Sequence, residues 1–138
     1  MVDRDVLSAR LSALESYLAE LRSFRDRSRE EFVREPALHG LAERYLHLAS
    51  EAVADAAHHV IADEGYRQPA NYKDAIEVLR EEGLIEDHLA RRLQEWMGFR
   101  HVLLHLYLKI DHGRSWDAIQ EDLGDLEAFA AAMGRFLA

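Results

Sequence analysis

Gly98-Phe99-Arg100-His101-Val102-Leu103-Leu104-His105-Leu106-Tyr107 places an arginine, two histidines and a tyrosine within eight residues of an apolar helical segment. At about 100° per residue, with Arg100 set at zero, Trp96, Phe99, Val102, Leu103, Leu106 and Ile110 fall in an arc of about 200–320°. That arc is a core-facing stripe. Arg100, His101, Leu104, His105 and Leu108 lie on the other side, at about 0–140°. This second face has two leucines among its Arg and two His, and no Asp, Glu or Lys before Lys109. It is not an ordinary solvated surface. A helix that is apolar on both sides needs a second partner, and the economical one is another copy of the same face. The pattern predicts a helical bundle that forms a homodimer through this segment.

The same period extends in both directions. Asp3 caps a first helix to about Phe24, carrying Val6, Leu7, Leu11, Leu14, Leu18 and Leu21 at helical spacing. Arg22, Arg25, Arg27, Arg29 and Arg34 follow as a basic run broken by acids, which reads as a solvated helix end and loop. Pro36 opens a second helix that runs to Asp63 and ends near Gly65. Tyr66 to Ala70 is a loop, and Asn71 caps a short third helix ending at Gly83. A fourth segment starts near Glu86 and continues through the quoted stretch to about Ile110, where Asp111-His112-Gly113 breaks it. Ser115 caps a last helix with Ile119, Leu123, Leu126, Phe129, Met133 and Phe136. Nothing reads as a strand. The expected fold is all-α, a single domain over residues 1–138 built as a four- to five-helix bundle.

Composition narrows the function. With 7 Gly and 2 Pro in 138 residues, turn-formers are too few for a many-stranded sheet. There is no cysteine, hence no disulfide and no thiolate metal site, which fits a reducing cytoplasm. No apolar run approaches the roughly 18 residues of a membrane span, and the charged opening Met1 to Asp5 leads into an amphipathic segment rather than a signal peptide. The net charge of −9 opposes general electrostatic binding to nucleic acid, so a nuclease would need a small local positive site.

Such a site can be drawn from the opening stretch. Arg is permanently charged and clamps phosphate, and His moves protons near neutral pH. RNA carries its own nucleophile, the 2′-OH. Cleavage then needs only a group to take that proton and a cation to neutralise the phosphate. His105 is the candidate acid or base and Arg100 the candidate clamp, with no metal. By angle the two sit about 140° apart, so a composite site across a dimer two-fold eases the geometry. Arg100 and Tyr107, seven residues apart, share nearly one line. Each residue alone has a plainer role: Arg100 a salt bridge, His105 an interface histidine, Tyr107 a core-edge aromatic.

The order of these residues resembles the HEPN superfamily, in particular its HepT-like toxin branch, over nearly the whole chain. Carrying the resemblance are Val2-Asp3-Arg4 before a Leu-rich helix, Glu35-Pro36-Ala37-Leu38 leading into Glu43-Arg44, Glu51-Ala52-x2-Asp55-x3-His59, Pro69-x2-Tyr72-x2-Ala75 with Leu79, and Gly98-Phe99-Arg100-x4-His105-x-Tyr107. The resemblance implies a homodimeric HEPN-like bundle and a metal-independent endoribonuclease, with Arg100 and His105 matching the motif pair. It also implies a toxin–antitoxin pair, in which a MntA-type minimal nucleotidyltransferase antitoxin adds AMP to the tyrosine matching Tyr107. Many members have Asn directly after the Arg; here His101 stands there, either as a second proton carrier or as a tolerated change.

Two other readings compete. Glu51, Asp55 and His59 recur every four residues on the second helix, and His101 and His105 do so on another, so facing helices could hold iron or zinc. The Glu-x-x-His pairs of di-iron bundles are absent, however, and His47, His58, Arg44 and Glu43 make the polar side of the second helix look like a solvated face. The second is a non-catalytic nucleotide-binding or scaffolding partner of a nucleotidyltransferase, which the acidic charge favours.

Overall fold

Pro36 opens the longest helix at its first position, where a missing N–H costs nothing, and Gly65 closes it in the left-handed conformation at φ 71°. The N–H groups of Gly65 and Tyr66 then reach back to Ala62 and Ile61. This helix, Pro36–Glu64, is α3 in a computed structural model that describes residues 1–138. Before it come α1 (Arg4–Arg22) and the short α2 (Arg29–Arg34). After it come α4 (Tyr72–Glu81), α5 (Asp87–His105), α6 (His112–Glu121) and α7 (Leu123–Met133), with 3-10 turns at Tyr107–Lys109 and Gly134–Leu137. There is no strand.

The caps follow from side-chain chemistry. Asp3 accepts from the N–H groups of Asp5 and Val6, Ser28 from Glu31, Asn71 from Asp74, and Asp111 from Gly113 and Arg114. Gly83, at φ 72°, ends α4 by the same left-handed device as Gly65, with Leu84 N–H donating to the Leu79 carbonyl. α3 is the central element, with α1 packed along it and α4, α5, α6 and α7 around it. A single core of 35 buried apolar residues joins them, to which α1 gives Leu7, Leu14, Leu18 and Leu21 and α3 gives Leu46, Val53 and Val60. Burial of side chains this size contributes about 1.5–3 kcal/mol each, which is what orders the bundle.

The expected helix order holds, with four corrections. The basic run is not all loop: Ser28 caps α2, which buries Phe32. The last helix is not continuous; it breaks at Asp122, which takes the Arg92 and Arg114 guanidiniums at 2.7 and 3.3 Å. Ser115 is no cap. Asp111 caps α6, and Ser115 is buried within it, donating to Glu43 Oε2 at 2.7 Å. Most consequential, the helix through the quoted stretch ends at His105, not Ile110, because Leu106 leaves helical backbone at φ −120°, ψ 39°.

Candidate functional site

The side of α5 that carries Arg100 packs against α3 and α4, so Arg100 is only 7% exposed and is covered within its own chain, where the wheel predicts a face covered by a second copy. Its Nε donates to Glu51 Oε2 of α3 at 2.5 Å. Its Cζ lies 4.1 Å from the centre of the Tyr72 ring of α4, within cation–π range. Its two Nη groups make no hydrogen bond in the protein and are not sealed from solvent. A guanidinium pinned at Nε and stacked on one face, with both Nη groups free, is oriented to take an anion.

The supports of Arg100 are themselves held. The Tyr72 ring meets His58 edge-on at 5.3 Å between centres, and His58 Nδ1 donates to the Ala54 carbonyl at 2.8 Å. The loop before α4 is fixed by Arg67, which gives two hydrogen bonds to Asp74 at 2.8 and 2.9 Å and one from Nε to Glu81 at 2.8 Å. Arg67 and the Ala70 N–H together hold the Asp74 carboxyl down at about 2. On α3, His47 Nε2 stands 3.9 Å from Glu51, while its Nδ1 faces Arg44 at 3.1 Å. Burial lowers the His47 pKa, with Arg44 and Arg100 adding to the effect against the opposing pull of Glu51. One turn on, the exposed Asp55 carboxyl is pushed up, by partial desolvation first and then by the Glu51 charge.

His101 and His105 occupy the last turn of α5, exposed, with ring centres 4.9 Å apart. No hydrogen bond or ion pair joins either of them to Arg100. Within one chain no polar contact joins the expected clamp, Arg100, to the expected proton carrier, His105. Tyr107 lies beyond the helix end in the 3-10 turn and is 67% exposed, so it does not share a helical line with Arg100. The Arg100 guanidinium instead faces an open cleft of about 480 Å³ between α4 and α5, lined by Asn71, Tyr72, Lys73, Met97, Gly98, Arg100 and His101.

The carboxylates and imidazoles of the metal reading do not converge. Glu51 holds Arg100, and His59 Nε2 lies 3.0 Å from Asp63 Oδ2 on its own helix, at an angle outside hydrogen bonding. No group of three such side chains is placed to share an ion. Nor is Glu43 solvated. It is 8% exposed, and its Oε2 takes both Ser115 Oγ and His112 Nδ1 at 2.7 Å, with the His39 ring stacked on His112 at 3.6 Å. Sequence spacing gave no sign of this cluster, since its members are about 70 residues apart. The walls Lys73 and Gly98 were likewise unread as site residues.

No curated protein matches the sequence as a relative. Among solved structures the chain is similar to YutE, a cytosolic protein of Bacillus subtilis, at 23% identity and TM-score 0.85 over 99% of this chain and 91% of that one. It is similar to the tri-AMPylated HEPN toxin of Shewanella oneidensis, solved in complex with its MNT antitoxin, at 19% identity and TM-score 0.87 over 98% and 99%. It is also similar to a toxin–antitoxin structure with AMP-PNP, at 20% identity and TM-score 0.88 over 95% and 98%. These likenesses establish the fold. The family model described as "Ribonuclease HepT-like" matches residues 14–133, and so the chain belongs to the HepT-like ribonuclease family.

Proposed function

We propose that this protein is the toxin of a toxin–antitoxin pair and a metal-independent endoribonuclease, cutting at a groove that two copies of the chain complete. The observation that carries this reading is Arg100: fixed by Glu51 and Tyr72, with both Nη groups turned to a cleft in an otherwise acidic protein. Its role is to clamp the scissile phosphate and neutralise the charge that builds there. His105 is the general acid or base. It takes the proton of the ribose 2′-OH as the 2′-oxygen bonds to phosphorus, and the P–O5′ bond breaks. The leaving 5′-oxygen receives its proton from a second imidazole, His101 or the His105 of the other copy. The products are a 2′,3′-cyclic phosphate and a 5′-hydroxyl end. DNA lacks the 2′-OH and resists this route.

The exposed apolar end of α5 supports a dimer, and the separation of Arg100 from His105 in one chain makes a two-chain groove the economical site. A MntA-type minimal nucleotidyltransferase is the proposed antitoxin, by analogy with the structures solved with such partners. Its proposed target is Tyr107. The competing reading, a non-catalytic partner of a nucleotidyltransferase, is supported by the charge of −9. One assay separates the two: cleavage of single-stranded RNA in a chelator by the unmodified protein, by Arg100→Ala and by His105→Ala. The expected result is cleavage by the first and a loss of about 100-fold or more in both variants, the scale of a lost acid–base or electrostatic group. Equal activity in all three, or cleavage by the unmodified protein only when the chelator is left out, would overturn the mechanism, and no cleavage with or without chelator would favour the scaffold.

A further inference from the structure

We propose that Lys73 is a second phosphate-binding side chain, so that the cleft takes two neighbouring phosphates of one RNA strand, one on Arg100 and the next on Lys73. This rests on the ribonuclease reading above and adds to it the extent of the substrate contact.

Four observations converge. The chain has 26 acidic residues, yet none lines the cleft, whereas Lys73, Arg100 and His101 all do. Lys73 makes no ion pair. Its neighbour Asp74 is consumed by Arg67 and the Ala70 N–H, so it does not neutralise the ammonium. The Lys73 side chain runs across to Gly98 of α5: a methyl group there would stand 3.6 Å from both Cε and Nζ. That places the ammonium beside α5 about one turn before His101, in the cleft that Arg100 also lines. Finally, Lys73 lies in the first turn of α4, whose positive dipole end adds to its own charge. A protein of net charge −9 gains no strand binding from its bulk field, so contacts must come from local cations, and this cleft holds two, Arg100 and Lys73.

The test uses Lys73→Gln and Lys73→Arg in the full chain. Two quantities are read: kcat and KM for cleavage of a single-stranded RNA, and the salt dependence of binding to a 2′-O-methyl strand that cannot be cut. Lys73→Gln should raise KM about three- to tenfold, leave kcat within about twofold, and lower the slope of log K against log salt by about 0.7, one single-strand phosphate contact. Lys73→Arg should restore both. Unchanged KM and slope in Lys73→Gln, with the native protein still cutting RNA, would overturn the role of Lys73 and leave the ribonuclease reading intact. A shallower slope in Lys73→Gln where the native protein binds but does not cut would sustain Lys73 and sink the nuclease. A native protein that does not bind the strand, or a fall in kcat alone, would also overturn the proposal.

Discussion

The ring of Tyr72 lies beneath the guanidinium of Arg100, with Cζ 4.1 Å from the ring centre, while Glu51 holds Nε from the opposite helix. The aromatic face restricts the plane and the carboxylate restricts the rotation. Arg100 is thereby set before any substrate arrives, at little entropic cost on binding. Replacing Tyr72 by Ala removes a contact of about 1–2 kcal/mol and frees the guanidinium to wander. The expected outcome is a fall of about tenfold in RNA cleavage, with an unchanged helical circular-dichroism spectrum. Tyr72→Phe keeps the ring and should keep the activity. Equal loss in Phe and Ala would show that the hydroxyl, not the stacking, matters.

At the far end of α5 the chain presents Leu104, Leu106 and Leu108, all exposed, with Leu108 at 88%. Water gains nothing from such a group, and a second copy gives it somewhere to go. Leu108→Asp should shift the protein from twice the chain mass to a single chain in light scattering at micromolar concentration, with loss of cleavage. A native protein that is already monomeric and active would remove the reason for a two-chain groove.

His47 supplies a pH signature. Its imidazole is 15% exposed, its Nδ1 faces Arg44, its Nε2 faces Glu51, and Arg100 lies behind that carboxylate. Its folded pKa is lowered, by burial above all. The unfolded chain therefore binds this proton more readily, at the ordinary value of about 6.5. Stability should rise with pH between the lowered value and about 6.5, and level off above. In His47→Gln this part of the slope should vanish. The check is the difference in urea midpoint between about pH 5 and about pH 7.5 for the two proteins. A native protein no less stable at the lower pH, relative to the variant, would contradict the assignment.

Glu43 ties α3 to α6 through Ser115 and His112, with one carboxylate oxygen accepting both at 2.7 Å. Glu43→Gln weakens two hydrogen bonds to a charged acceptor in a buried place, and should cost about 1–3 kcal/mol. The expected result is a lowered melting temperature with cleavage at Arg100 unaffected at temperatures where the variant stays folded. An unchanged melting curve would mean that the carboxylate carries little of the α3–α6 contact.

How much of this was legible in the sequence depends on range. Helix ends written in local chemistry were readable: Asp3, Pro36, Gly65 and Asn71 act within a few residues of themselves, and the structure uses all four. Period alone could not end α5. The residues from Leu106 to Ile110 keep helical spacing, yet Leu106 to Lys109 are all exposed and lack the burial that would make extension favourable. The wheel also placed Arg100 on the side away from the core, because a single-helix projection does not know that α3 and α4 close over that side too. The partners that buried it, Glu51 and Tyr72, stand 49 and 28 positions away. Glu51 enters the sequence reading only through the resemblance and as a candidate metal ligand, and Tyr72 only through the resemblance. The Glu43 cluster and the Lys73 wall needed three-dimensional neighbours that no spacing rule supplies.

Tyr107 carries the last prediction. Its place past the end of α5, 67% exposed in a 3-10 turn, leaves the phenol open to a partner enzyme. It stands two residues from His105 rather than in line with Arg100, so AMP added to its hydroxyl would set a phosphate and a nucleoside at the His101–His105 end of the groove. The added negative charge and bulk would repel and obstruct an RNA strand there, without a change of fold. Co-expression with a minimal nucleotidyltransferase of the MntA type, then intact mass measurement, gives the test. One or more AMP additions and loss of cleavage are expected, both abolished in Tyr107→Phe, which should remain an active nuclease. Neutralisation without any mass shift would mean that the partner acts by binding. A mass shift that persists in Tyr107→Phe would move the modification to another residue.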